Sequence, residues 1–474
     1  MGRRTVAVDT AHQAPGSGGR SVWSGHLTPA AIIALAALGS AIFRQGAYHE
    51  TQHRTFAAIM LIAGGSLLLG RFTRRDLSVS ALLLSPLLSS AALSLALSGD
   101  RSDARSTLLE LALVGISLAV GMSIPRSGHQ TVLDAVLVIA LIVAATALWG
   151  VILHETPWGR ITAGVWRGSS SLTYANAAAA VVGPIALLQL RRLIDRPSPI
   201  HSAATTFLLV GLASTQSRGG VLAVALVGLT LLRPSKIRRT ALVSLPVAVG
   251  TAIATPAVLV YADAGDDGNP PVVLTLLVVG VVTSGALGSN RIETRRLVGP
   301  TSVLGVASLL LLAATGQIGR FTERFTLRSG TTAQGEDARV LFGDRANEWS
   351  SAWEQFTERP IVGHGPGVVD LSWLEAGRSF RAEFAHNEYL ELAVTQGLIG
   401  ILALGISSAL ALRHWRRVQT SISMPAAPVG LAVGAFLLHS SVDFLWHLPA
   451  LPVLFALILG LALGRAPIRS SAGS

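Results

Sequence analysis

Five short polar groups in this chain combine residue types that can move a proton or hold an anion. The first is His386-Asn387-Glu388-Tyr389, which opens the stretch HNEYLELAVTQGLIG. Histidine titrates near neutrality, so His386 is a natural general base for a hydroxyl. The other reading is an interfacial polar cap, where His, Asn and Tyr are all common. Continued as a helix, the stretch would put His386, Leu390, Ala393 and Gly397 on one face, with Gly397 and Gly400 allowing close helix packing. The second group is Ser217-Arg218-Gly219-Gly220. Arg218 can grip a phosphate with two parallel hydrogen bonds while the glycines admit a ligand to the backbone. Its other reading is a loop arginine at the headgroup layer. Third, Arg345 opens a segment in which Trp349, Trp353 and Phe356 recur at i, i+4, i+7, with Arg345, Glu348 and Glu354 on other faces. Alone, Arg345 also reads as a solvated helix residue. Fourth, HSSVDFLWHLP carries Asp443 one turn after His439. The two can orient each other, hold a loop or cap a helix. Fifth, Tyr174 and Asn176 in SSSLTYANAAAA either contact a sugar or cap the helix that follows.

The elements that must position these groups are apolar. Half of the 474 residues are hydrophobic and 13% are charged. A hydrocarbon core about 30 Å thick takes roughly 20 apolar helical residues. Such runs recur at 29–43, 55–70, 77–98, 107–124, 131–153, 172–190, 200–214, 219–232, 240–262, 271–289, 300–316, 388–412, 425–441 and 448–464, and every Lys and Arg falls between them. The expected fold is all-α, a polytopic transmembrane helix bundle with one large extracytoplasmic loop at 317–385 that contains an amphipathic helix. The short segments 200–214 and 219–232, split only by TQSR, are two thin crossings or a re-entrant pair, so the chain has 12–14 spans. The positive-inside rule sets the orientation. With both termini cytoplasmic, the segments around Arg74, Arg192, Arg238, Arg295 and Arg416 lie inside, and the acidic loop DAGDDGNP lies outside. All five polar groups then fall on the outer side. The expected organisation is a cytoplasmic tail at 1–28, disordered by composition, followed by an integral membrane domain at 29–466.

Several chemistries are excluded. There are no cysteines, so disulfides, thiolate metal sites and cysteine nucleophiles are absent. The net charge of +11 is almost wholly arginine, Lys236 being the single lysine, and in a membrane protein it reads as cytoplasmic loop charge and membrane lipid contact rather than nucleic acid. No Walker loop, dinucleotide fingerprint, HExxH or GxSxG element has a supporting context. Asp134 is the carboxylate expected well inside a span, and no buried acid chain of the proton-pump kind is evident.

In order, SRGG after a short span, an outer loop with R…W…PIVGHGPG, then HNEYLELAVTQGLIG and HSSVDFLWHLP resemble the O-antigen ligase and O-antigen polymerase family of bacterial membrane proteins. The resembling core covers roughly 170–450. The resemblance implies an inverting, metal-independent and cofactor-free glycosyltransferase of the bacterial cytoplasmic membrane. It would move a glycan from a polyprenyl-diphosphate carrier such as undecaprenyl diphosphate to a hydroxyl of a glycan or lipid-glycan acceptor, on the outer face, in cell-envelope polysaccharide biosynthesis. It further implies that Arg218 and Arg345 bind the diphosphate and His386 activates the acceptor. Ser217, Gly219, Tyr174, Asn176, Asn387, Tyr389 and Asp443 would line the substrate groove. The rival expectations are a lipid-linked oligosaccharide transporter or flippase, whose mark is polar groups at mid-membrane, and a passive assembly scaffold.

Overall fold

The computed structural model describes residues 27–68, 73–98, 104–162, 164–232, 235, 237–262, 270–288, 345–375, 377–419 and 426–464. The expected tail at 1–28 for its greater part, the span at 300–316, the acidic loop and the first part of the 317–385 loop lie outside the described residues.

The remaining apolar runs each form a helix. They are α1 (Pro29–Phe43), α2 (Glu50–Leu68), α3 (Thr73–Ser98), α4 (Ala104–Ser123), α5 (Arg126–Ile152), α6 (Ala175–Asp195), α7 (Pro199–Thr215), α8 (Arg218–Gly228), α9 (Ile237–Tyr261) and α10 (Pro270–Leu287). After the undescribed stretch come α11 (Arg345–Glu358), α12 (Glu388–Gln419), α13 (Ala426–His439) and α14 (Ala450–Leu463). Among the described residues, seven helices are long and apolar enough to cross a membrane, and α1, α8, α13 and α14 are shorter apolar helices. The protein is thus an all-α polytopic membrane bundle. The segments read as thin crossings or a re-entrant pair are α7 and α8, separate helices joined at Gln216 and Ser217.

Helix α6 is the axis. Of its apolar window 89% is buried inside the protein, far more than in any other long span. The sequence explains this: ANAAAAVVG carries side chains small enough for α5, α7, α8 and α13 to pack around it. The N-terminal end of this central helix therefore meets the ends of its neighbours, which is where Tyr174 and Asn176 stand.

Among the described residues, two short antiparallel hairpins interrupt the helical pattern. In the first, β1 (Gly159–Thr162) pairs with β2 (Val165–Gly168); in the second, β3 (Leu371–Glu375) pairs with β4 (Arg378–Ala382). The β1–β2 hairpin seats directly on α5, where a Cβ on Gly150 would overlap Trp158 and Gly159. The second hairpin folds against α11, with Ser351 Oγ donating to Ser372 O at 3.1 Å.

Helix α12 is broken at Gly397, which sits at φ +65°. A Cβ there would overlap the Ile361 carbonyl, and a Cβ on Gly363 would overlap Thr395. The Pro360–Gly365 backbone fills the break. Leu398 N donates to Pro360 O (2.8 Å), His364 N to Val394 O (3.0 Å) and Gly365 N to Thr395 O (3.0 Å). From α3, Ser94 Oγ donates to Thr395 O (2.9 Å) and Ser90 Oγ to Gln396 Oε1 (2.6 Å). Backbone freed inside an apolar helix needs such partners. This is the physical reason that VGHGPG and TQGLIG occur in one chain: each supplies the glycine that the other's backbone requires.

Candidate functional site

The site forms where the start of α6, the start of α8, the start of α11, the entry to α12 and the loop after α13 converge. Asp443, in that last loop, is its hub and is 1% exposed. Tyr174 Oη donates to Asp443 Oδ1 at 2.6 Å, and Asn176 Nδ2 donates to Oδ2. Arg345 Nη2 pairs with Oδ2 at 3.0 Å and its Nη1 donates to Val442 O. The Phe444 amide donates to Oδ1 at 2.9 Å. A buried carboxylate keeps its charge only with this kind of satisfaction. Tyr174 is the residue preceding α6, yet its side chain makes no cap; it bonds Asp443 instead.

His386 stands in the left-handed region at φ +47°, before α12 begins. The expectation that it shares a helical face with Leu390, Ala393 and Gly397 therefore fails at both ends, because His386 is not helical and Gly397 breaks the helix. What places the imidazole is Glu348. His386 Nδ1–H donates to Glu348 Oε2 at 2.8 Å, which leaves Nε2 as the acceptor. Phe444 meets the ring edge-on with centroids 4.8 Å apart. Asn387 caps α12, its Oδ1 accepting from the Tyr389 and Leu390 amides at 3.1 Å each. Tyr389 Oη donates to Leu437 O at 2.7 Å, tying α12 to α13.

The α11 face is rotated from the sequence expectation. Glu348, Ser351, Ala352 and Phe356 are buried, whereas Trp353 is 58% exposed. The helix packs Ala352 and Phe356 against Leu371, Ala385 and Val394. Packing on α12 and the hairpin turned the Glu348 carboxylate inward, a choice that apolar spacing alone could not make.

Ser217 caps α8, its Oγ accepting from Gly220 N at 3.2 Å and lying 3.4 Å from His439 Nε2. The two glycines do not admit a ligand. A Cβ on Gly219 would sit 2.7 Å from Val442 Cγ2, and one on Gly220 would sit 2.8 Å from Ala179 Cβ and 3.2 Å from His439 Cε1. They let α8 press against α6 and the loop that carries Asp443. His439 and Asp443 do not orient each other directly; His439 fills the space between α8 and that loop. Arg218 itself is exposed at the head of α8.

Arg167 completes the cluster, a residue outside the five polar groups read from the sequence. The first hairpin carries it in on β2. Its Nε donates to Thr215 O (3.0 Å) and its Nη2 to Asn176 Oδ1 (2.8 Å). Burial lowers its guanidinium, Tyr174 and Asp443 raise it, and nearby Arg345 and Arg218 lower it again. Arg167 thus feels both other guanidinium groups, and Arg345 pairs with the single buried carboxylate. Among the described residues neither Arg167 nor Arg218 has an ion-pair partner of its own. The site sets guanidinium groups beside a carboxylate-oriented imidazole. The signal for Arg167 was its nearness in sequence to Tyr174 and Asn176.

A second ionisable group braces the same loop. Glu388 accepts from the Trp446 amide, Glu391 Oε1 pairs with His447 Nε2, and Glu391 Oε2 accepts from Ala385 N at 3.2 Å. Burial alone would lower the His447 imidazole, but Glu391, then Glu388 and Glu110, hold it up at about 10. Phe384 bridges the two groups, stacked on Phe444 at 4.9 Å and 4.3 Å from the His447 ring. Acidic residues within the apolar segments are therefore not limited to Asp134, which pairs with Arg192 at 2.6 Å.

No curated protein matches the chain. Residues 272–405 match the family model described as O-Antigen ligase. That stretch contains Arg345, Glu348, His386, Asn387 and Tyr389, while Arg167, Tyr174, Asn176, Arg218 and Asp443 come to them from outside it through the fold. Over that stretch, under a third of the chain, the protein is similar to the O-antigen ligase family.

Proposed function

We propose that this protein transfers a glycan from a polyprenyl diphosphate to a hydroxyl acceptor in the synthesis of a cell-surface polysaccharide, as a ligase or a polymerase. The observation that carries the reading is the pairing of an arginine cluster with the His386–Glu348 dyad. The diphosphate is already a good leaving group. Arg218, Arg167 and Arg345 stabilise the charge that grows on it as the anomeric C1–O bond breaks. His386 Nε2 accepts the proton of the attacking hydroxyl, and Glu348 holds Nδ1–H so that Nε2 is the basic atom. Attack opposite the leaving group inverts the anomeric centre. The reaction balances without another reagent: one C–O bond forms, one breaks, and polyprenyl diphosphate leaves with the electron pair. The charge supplied by arginine is also what makes a metal unnecessary to this scheme.

Orientation belongs to the same proposal. Both termini are cytoplasmic and the site opens on the outer face of the bacterial cytoplasmic membrane, as the arginine distribution supports. In domain terms, 29–466 is one membrane domain, with 170–450 forming the transferase core and 317–385 the outer loop. Tyr174, Asn176 and Asp443 then act as the frame that positions Arg345 and Arg167, and Ser217 and Gly219 as the frame for Arg218.

The test is transfer by purified protein in lipid nanodiscs, using lipid-linked glycan that accumulates in a deletion strain. Arg218→Ala, His386→Ala and Arg345→Lys are expected to lose turnover, the last because a lysine cannot make the two-pronged contact. Wild-type turnover by folded His386→Ala, or by folded Arg218→Ala, overturns the proposed roles.

A further inference from the structure

A cavity of about 510 Å³ shares no lining residue with the arginine cluster. It sits between α11 and the β3–β4 hairpin. Its described lining includes Asn347, Ser350, Glu354, Trp373 and Ser379. The volume falls within the roughly 300–1,000 Å³ of small-molecule sites. The lining differs from that of the site described above. Its described residues are hydroxyls, an amide, a carboxylate, an indole and the apolar Leu374, with no arginine, lysine or histidine. Such a surface has nothing to hold a phosphate. It suits a neutral ligand dense in hydroxyl groups with an apolar ring face, which is a pyranose.

Two observations point the same way. Trp373 is half-buried and lines the cavity as the aromatic ring among its described residues. The indole is also held: Phe380, its register partner on β4, lies nearly parallel at 12° with centroids 5.9 Å apart. In addition, the hairpin is fixed to α11 by the reciprocal bonds of Ser351 Oγ with Ser372 O and Ser372 N, both 3.1 Å. The cavity wall therefore moves with the helix that carries Arg345 and Glu348. Asn347, in the cavity lining, adjoins Glu348 and stands two residues, about 3 Å of rise, along α11 from Arg345. A sugar held there is one or two residues of glycan away from the reacting bond.

We infer that this cavity is a saccharide subsite, taking a pyranose of the glycan a short way from the linkage that His386 and the arginines act on. The inference rests on the transferase reading and adds a division of labour to it: the guanidinium cluster holds the diphosphate, and the Trp373 cavity holds sugar. The glycan is either the donor's or the acceptor's, and the chemistry of recognition is the same.

The test uses full-length protein in nanodiscs, with variants at the cavity and at the arginine cluster measured side by side. Trp373→Ala removes the ring. Ser379→Trp fills the space from an exposed strand position and guards against misfolding of the first variant. Each is expected to raise the KM for one glycan substrate about tenfold, as befits the loss of one aromatic contact, with kcat nearly unchanged. A rise confined to the lipid-linked glycan assigns the cavity to the donor, and one confined to the acceptor assigns it to the acceptor. Oligosaccharide released from the lipid carrier by mild acid is expected to show saturation-transfer NMR signals on wild-type protein that Ser379→Trp abolishes; if the subsite takes acceptor sugar instead, the delipidated acceptor glycan shows them. Unchanged KM values together with unchanged saturation transfer for both glycans overturn the subsite. If the wild-type protein transfers no glycan in the same assay, it is the transferase reading that fails, a different result from loss of the subsite alone.

Discussion

His386 Nδ1 lies 2.8 Å from Glu348 Oε2, joining a residue at the entry to α12 with one in the first turn of α11. The contact fixes the tautomer of an imidazole that the backbone already holds at φ +47°. If this dyad supplies the base, Glu348→Gln keeps the geometry and removes the charge that favours Nε2 as proton acceptor. Turnover is then expected to fall about 10²–10⁴-fold with little change in KM, since Glu348 is buried behind His386. Steady-state kinetics on the folded variant decide it; near-normal kcat rules the dyad out.

Asp443 gathers donors from Tyr174, Asn176, Arg345 and the Phe444 amide. Asp443→Ala strands them together. A loss of about 1–3 kcal/mol in stability is expected, because buried donors are left unmet. Arg345→Ala and Asp443→Ala should also be non-additive, with a coupling of about 0.5–3 kcal/mol. Thermal unfolding of the two single variants and the double variant in detergent measures this. Simple additivity would mean the pair is not an energetic unit.

The His447–Glu391 pair predicts a pH dependence. The folded imidazole is held up at about 10, above its ordinary value of 6.5. Its contribution to stability is therefore complete below about pH 6.5 and is lost as pH rises through about 10. Melting temperature should fall between pH 7 and pH 10.5, and His447→Gln should flatten that fall. A variant curve parallel to the wild-type curve across the window would remove the pair from the account.

Gly397 and Gly405 provide a contrast within one helix. Gly397 has positive φ and no room for a Cβ, while Gly405 has nothing within 4 Å. Gly405→Ala is expected to be neutral or slightly stabilising. Gly397→Ala is expected to cost at least about 1–3 kcal/mol in backbone strain alone, with the overlap on Ile361 added. Size-exclusion profiles and melting temperatures of the two variants should separate clearly; equal behaviour would mean that the break in α12 is not required.

The helices were legible because their cause is local. A run such as LVIALIVAATALWGV can satisfy its backbone in hydrocarbon only as a helix, so spacing and the positions of arginine were enough to bound α5 and most of its neighbours. The polar groups at Tyr174, Arg218, Arg345, His386 and Asp443 were legible as candidates because titratable and cationic side chains are costly beside an apolar segment.

What each side chain does was decided by contacts between segments far apart in the chain. Glu348 faces His386 because Ala352 and Phe356 pack against the elements around α12, and no property of the α11 sequence alone sets that rotation. Gly219 and Gly220 yield space to Val442 and His439, residues more than two hundred positions later. Arg167 became part of the cluster because a hairpin folds it onto Asn176 and the Thr215 carbonyl. Period and hydropathy describe how a segment meets a solvent, water or lipid. Which two side chains share a proton depends on how whole helices pack, and that information is spread over the entire chain.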